Sequence, residues 1–278
     1  MRPGLRSGFL FVFFGLLCAV PLLAAKAQSP AGGMPPAHAE NPLKELIPGR
    51  RFVPGDIAAQ QADDFDNPAF PLILEAEKLF DVADGAEGKS CASCHGNGRD
   101  LIPVTRSAAS YPQFHDGTKR VITLEQRINM CRERGMRATV WAPESPELIG
   151  MTGYIKHLSR GTPFSGAVNG PSAKTFEAGK TLFETRIGRL QLSCAQCHNE
   201  RYGQKFSGDT ISQGHPLDYP AYNNRAARVI SLHERFRMCN ALARAEPQPL
   251  GSEDYIALEL YLSWRSKNLP IEAPGVRP

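Results

Sequence analysis

Two stretches of this 278-residue chain repeat one another, and each contains the pattern Cys-x-x-Cys-His. Tyr111-Pro112-Gln113-Phe114 aligns with Tyr219-Pro220-Ala221-Tyr222 at an offset of 108. Without a gap, Arg120-Val121-Ile122 then matches Arg228-Val229-Ile230, and Leu124, Arg127, Met130 and Cys131 fall on Leu232, Arg235, Met238 and Cys239. Downstream, Tyr154 to Pro163 maps onto Tyr261 to Pro270. A repeat of this length marks a duplicated folding unit, so whatever the chain folds into is built twice.

The two pentapeptides, Cys91-Ala-Ser-Cys94-His95 and Cys194-Ala-Gln-Cys197-His198, carry recognisable chemistry. Thiols at i and i+3 on a turn can each bond one vinyl group of a haem, and the adjacent histidine then lies beneath the iron. A redox dithiol or half a zinc site would not require that histidine at matched places in both copies. Cys91 and Cys94, and Cys194 and Cys197, are therefore the expected covalent attachment points of two c-type haems. His95 and His198 are the expected proximal ligands.

The distal ligands should sit at equivalent positions in the two copies. The other histidines fail that test: His115 aligns with Asn223, His157 with Trp264, and Glu125 stands opposite His233. The paired candidates are Met130-Cys131 and Met238-Cys239. Methionine is the commoner distal ligand in small c-type cytochromes. Helical spacing favours the cysteines instead: Val121, Leu124, Ile128 and Cys131 form one apolar stripe, and Val229, Leu232, Phe236 and Cys239 form its counterpart. Buried unligated thiols, or a disulfide between the two cysteines, are the alternatives; equivalent positions in separate haem pockets should lie too far apart for the disulfide. Thiolate ligation suits a soft ligand on that face and lowers the haem potential. Arg127 and Arg235 lie one turn before the cysteines, and Arg225, Arg228, Arg237 and Arg244 add cations near Cys239. Most of these arginines read as a solvated face or as partners of haem propionates. Arg235 is the one expected to face an anionic substrate.

Each unit reads as helix, pentapeptide, long loop, helix, short connection, helix. Leu72, Ala76, Leu79 and Phe80 have helical spacing before the first pentapeptide, and Phe176, Leu182 and Phe183 before the second. Helices are expected over 120–134 and 228–244, and again over 147–158 and 253–264. The fold class is therefore all-α: two tandem cytochrome c-like domains, 71–163 and 175–278, joined by a Gly/Pro/Ser linker over 164–174. Residues 28–70, rich in Pro, Gly and Ala, read as an extended N-terminal arm.

Arg2 and Arg6, an apolar run from Phe9 to Leu23, and Ala25-Lys26-Ala27 have the form of a removable signal peptide over residues 1–27. The apolar run is short for a permanent membrane span, and Cys18 inside it lacks the small residues that precede a lipidated cysteine. The expectation is an exported, periplasmic protein with no membrane span after cleavage. Cleavage removes Arg2, Arg6 and Lys26, leaving 29 basic against 28 acidic side chains. Such a balance gives no reason to expect a nucleic-acid partner.

With both CxxCH motifs, both Arg-x-x-x-Cys helices (Arg127 to Cys131, Arg235 to Cys239) and the export signal, the chain resembles the dihaem form of the SoxA family over nearly its whole mature length. SoxA is the larger cytochrome subunit of the SoxAX complex of bacterial sulfur oxidation. The resemblance implies His/Cys ligation of both haems, a catalytic persulfide on Cys239 and a substrate site lined by Arg235. It implies an L-cysteine S-thiosulfotransferase that joins thiosulfate oxidatively to a cysteine of the carrier SoxY (in SoxYZ) and passes electrons to the monohaem cytochrome SoxX. A dihaem thiosulfate dehydrogenase that forms tetrathionate, and a plain dihaem electron carrier, are the alternative readings.

Overall fold

The computed structural model describes Met1, residues 37–96 and residues 108–278. The expected signal segment, the beginning of the arm and the loop after the first pentapeptide lie outside the described residues. Among the described residues, the helices of twelve and thirteen residues come in matched pairs. In the first half, α1 (Gly55–Ala62) precedes α2 (Phe70–Asp81), the pentapeptide helix α3 (Cys91–His95), strands β1 (Gln113–His115) and β2 (Arg120–Ile122), α4 (Leu124–Met130) and α5 (Pro146–Leu158). In the second half, α6 (Ala173–Glu184) and the pentapeptide helix α7 (Cys194–His198) are followed by β3 (Lys205–Phe206), β4 (Asp209–Thr210), β5 (Ala221–Asn223) and β6 (Arg228–Ile230). The distal helix α8 (Leu232–Leu242), α9 (Glu253–Arg265) and β7 (Gly275–Arg277) complete it.

The strands correct the all-α expectation. The segments read as the starts of helices, Arg120-Val121-Ile122 and Arg228-Val229-Ile230, are strands paired antiparallel with the residues after each Tyr-Pro, Gln113 facing Ile122 and Ala221 facing Ile230. Each distal helix begins only at Leu124 or Leu232, because Thr123 and Ser231 cap it by accepting the N–H of Gln126 and Glu234. Val121 and Val229 therefore belong to strands rather than to the helical stripe. β7 adds in parallel to β5, making a three-stranded sheet in the second half.

Helix α2 packs on α5, and α6 on α9, through the apolar faces that their sequences carry. Ile73, Ala76, Phe80, Met151 and Tyr154 are buried in the first core, and Phe183, Phe236, Leu258 and Tyr261 in the second. Burying side chains of this size stabilises by about 1.5–3 kcal/mol each. Gly179 lets α6 approach the Ala257 carbonyl so closely that any Cβ would collide with it.

The described residues from 37 onward form one compact unit. The expected linker is packed rather than loose: Phe164 is 5% exposed, and Gly170–Ser172 form a 3-10 turn leading into α6. Pro163 and Pro270, equivalent in the repeat, bridge to each other, and Val121 packs on Ile256 and Leu260 of the other half. The arm is also more structured than an extended strap. It contains a 3-10 turn over Gly49–Phe52 as well as α1, and it buries Leu43 and Leu46 against Leu269. No helix among the described residues is long and apolar enough to cross a membrane.

Candidate functional site

Both pentapeptides form five-residue helices, too short to persist alone. A capping box holds each. Ser90 accepts the Ser93 N–H at 3.1 Å while Ser93 Oγ accepts the Ser90 N–H at 3.0 Å. Ser193 and Gln196 do the same at 3.2 and 2.9 Å. Helical geometry then sets the two thiols and the histidine of each motif on one short turn.

A tight turn before each pentapeptide fixes the distal helix against it. In the first half, Ala86 N–H and Glu87 N–H donate to Arg137 O and Met136 O. In the second, Arg189 N–H and Leu190 N–H donate to Arg244 O and Ala243 O. Gly85 and Gly188, with φ of +72° and +67°, lie against those carbonyls, where a side chain would meet backbone. In the first half Arg132 reinforces the join: it is 4% exposed, donates to Asp84 at 2.6 Å and lies 3.8 Å over the Trp141 ring.

This arrangement brings Cys131 beside Cys91, and Cys239 beside Cys194 and Cys197, close enough for electrostatic coupling within each group. Burial, with neighbouring sulfurs adding to it, pushes Cys91 up to about 11 and Cys194 up to about 12. None of the six described cysteines is in a disulfide. Met130 instead lines a cleft with Thr118, Glu133 and Val140. Met238 packs at the edge of the second core. The other histidines considered have different partners: His115 with Thr118, His157 edge-on to Phe70, and His233 with Glu259 at 3.1 Å.

Burial holds His198 neutral down to about pH 4, and its Nδ1 lies 2.7 Å from Ser212 O. That contact fixes the tautomer with Nδ1 as donor and leaves Nε2 as the lone-pair nitrogen. His95 is lowered as well, by burial and then by Arg127. Among the described residues no group of three or more His, Cys, Asp or Glu side chains converges to hold a metal ion unaided. A haem iron draws its equatorial ligands from the macrocycle, so one imidazole and one sulfur per half suffice. With two thiols per motif and apolar walls from Leu124, Ile128 and Trp141 or from Leu232 and Phe236, the donor set fits a covalently held haem in each half.

Around Cys239 the arginines separate into two kinds. Arg225 is clamped by Asp209 at 2.6 and 2.7 Å, Arg228 by Glu144 and Glu234 at 2.9 and 3.1 Å, and Arg237 leans on Glu234 at 3.8 Å. Arg235 is half-buried and makes no ion pair among the described residues. The neighbouring Cys239, then Tyr219, push its guanidinium above the usual range against the effect of burial.

Tyr219 is the residue of this pocket that sequence reasoning passed over. It is 6% exposed, directly precedes a cis proline as Tyr111 does, and burial pushes its hydroxyl up to about 12. Tyr111 stands in the same relation to Arg127 and Cys131. The repeated Tyr-Pro dipeptide is the signal in the sequence that points to it.

A model of the SoxA/TsdA cytochrome c domain matches residues 75–164 and again 178–271. The L-cysteine S-thiosulfotransferase subunit SoxA of Rhodovulum sulfidophilum is 38% identical over 87% of this chain and 84% of its own length. Its namesake from Pseudaminobacter salicylatoxidans is 33% identical over 92% of this chain and 86% of that one. A chain of the SoxXA crystal structure from P. pantotrophus, 31% identical, superposes with a TM-score of 0.80 and covers 85% of this chain and 88% of its own. The twice-built helical unit, its thiol and imidazole donors and these likenesses together place the chain in the SoxA/TsdA cytochrome c family, whose domain holds haem c covalently.

Proposed function

We propose that this chain is the cytochrome subunit of an L-cysteine S-thiosulfotransferase, with one haem c in each half and the second as the reaction centre. The observation that carries the reading is the meeting of Cys239, Arg235 and Tyr219 beside Cys194 and Cys197. Cys194 and Cys197 would hold the group covalently, and His198 and Cys239 would bind its iron. Cys91, Cys94, His95 and Cys131 play the same parts in the first half. Haem c supplies a one-electron acceptor beside the sulfur.

The net reaction joins a carrier thiol to thiosulfate as a sulfur–sulfur bond and releases one proton and two electrons. Thiosulfate, held by the Arg235 fork, adds through its outer sulfur to a persulfide on Cys239 as two electrons depart. A carrier thiolate then attacks that outer sulfur, forming carrier–S–S–SO3⁻ and returning the persulfide. Buried Tyr219 packs the back of this pocket and helps exclude water from the anion. SoxA relatives of this size and the SoxXA match support a SoxX-type cytochrome as the electron-accepting partner and a SoxYZ-type carrier as the acceptor of sulfur. The expected location is the periplasm, where such partners and disulfide-like sulfur chemistry coexist.

Cys239→Ala should abolish carrier-dependent thiosulfate consumption while intact mass still shows two haems. Full activity in that variant would sink the reading. Stoichiometric tetrathionate from the wild-type chain without carrier would favour a thiosulfate dehydrogenase instead.

A further inference from the structure

Arg265, the last residue of α9, is 0% exposed and heads the largest fully buried side chains described. Its Nη1 donates to Gln213 O at 2.9 Å, and its Nη2 donates to Asn199 Oδ1. The Phe183 ring lies 4.5 Å from the guanidinium carbon, and Nε is buried without an acceptor. Burial lowers the group only to about 10, so the cation persists at neutral pH. Burying a cation without a carboxylate partner is costly, and its retention calls for an explanation.

Both of its hydrogen-bond partners flank the imidazole of the second pentapeptide. Asn199 follows His198 directly, and Gln213 follows Ser212, whose carbonyl lies 2.7 Å from His198 Nδ1. The arm closes this assembly from outside. Gln213 is 0% exposed, accepts the Ile47 N–H at 2.8 Å and donates to Glu45 O at 3.1 Å. Asn41 Nδ2 donates to Arg265 O at 2.8 Å. At the repeat offset of 107 residues, the first half has Leu158 where the second has Arg265. The halves thus share their sulfur and imidazole positions, but only the second sets a buried arginine at this place.

We propose that Arg265 is a positioning residue for the second haem: it holds the two segments that orient His198 and places a permanent positive charge on the imidazole side of that haem alone. The proposal rests on the reading of Cys194 to His198 as a haem site. A fixed cation favours the redox state with the additional electron, opposing a Cys239 thiolate, which would favour the oxidised state. By Coulomb's law at an effective dielectric near 20, a unit charge at separations on the order of 10 Å changes a one-electron equilibrium on the order of tenfold. The second haem is thereby kept reducible enough to take electrons from a sulfur nucleophile despite its thiolate.

The test is an optical redox titration of the full chain with its partner cytochrome, comparing wild type with Arg265→Gln and Arg265→Lys. Arg265→Gln should lower the reduction equilibrium constant of the second haem about tenfold, about 59 mV for one electron, and leave the first haem unchanged. Arg265→Lys, which keeps the charge, should stay within about threefold of wild type (~30 mV). An unchanged second haem in Arg265→Gln, an equal fall in both haems, or a lysine variant as low as the glutamine variant would overturn the proposal. If Arg265→Gln does not assemble, the lysine variant decides alone: a tenfold fall refutes the role of the charge. Intact mass of the wild type separates the two readings, since fewer than two haems refutes the haem assignment itself.

Discussion

Replacing Arg235 by Gln tests the substrate pocket, because the structure separates this arginine from its neighbours. Arg225, Arg228 and Arg237 are each engaged with carboxylates on the surface, whereas Arg235 is half-buried beside Cys239 with its charge uncommitted. A hydrogen bond between a cation and an anion contributes about 1.5–3 kcal/mol. At 1.36 kcal/mol per decade, Arg235→Gln should lower kcat/KM for thiosulfate roughly 10- to 150-fold. Arg235→Lys keeps the charge but loses the two-pronged fork, and should fall between wild type and the glutamine variant. Arg237→Gln, at a site 42% exposed, should stay within about fivefold. The assay is thiosulfate consumption with carrier and an electron acceptor in excess, at two ionic strengths. The loss in Arg235→Gln should persist at high salt because the site is sheltered, while any effect at Arg237 should shrink. An Arg235→Gln variant within fivefold of wild type, or an Arg237→Gln variant equally impaired, would refute the assignment of the anion to Arg235.

Three further outcomes follow from the scaffold. Ser193→Ala removes the cap that accepts the Gln196 N–H and should cost about 1 kcal/mol in denaturant unfolding; no measurable loss would mean that the pentapeptide helix is held by other contacts. Gly179→Val should cost about 1–3 kcal/mol by forcing α6 away from the Ala257 carbonyl, whereas Gly55→Ala, with open space around it, should leave the unfolding midpoint unchanged or raised. Asp84 sits below the usual carboxylate range through its hydrogen bond to Arg132. Its contribution to stability is therefore present above its unfolded value near 3.8 and lost as pH falls through the lower folded value. Asp84→Asn should flatten thermal stability across that acid window, and an unchanged pH profile would show that the pair is energetically silent.

The duplication, the two pentapeptides and the approach of Cys131 and Cys239 to the pentapeptide cysteines are legible because each rests on local spacing or on the repeat. A CxxCH turn needs five residues, and a helix face repeats every three or four. The starts of the distal helices were not legible in this way. Arg-Val-Ile is as good a helix opening as a strand, and what decides is the partner strand after Tyr-Pro, which periodicity within the segment cannot show. The capping residues Thr123 and Ser231 were visible in the sequence and would have moved both boundaries had they outweighed the apolar stripe. Two residues near the second pentapeptide required the folded chain. Tyr219 reaches Arg235 and Cys239 only because the hairpin folds the Tyr-Pro turn back on the distal helix, so sequence separation hides the contact. Arg265 lies on a helix that reads as amphipathic, where an arginine is ordinarily solvent-facing. Its burial follows from closure by the arm over α9 and from contacts at sequence separations of 52 and 66 residues. The repeat nevertheless held a clue: between Tyr154 and Pro163 and between Tyr261 and Pro270, Leu158 and Arg265 are the pair in which an apolar side chain gives way to a permanent charge. Comparing the halves position by position, for difference rather than for identity, is how a duplicated chain shows which copy has been specialised.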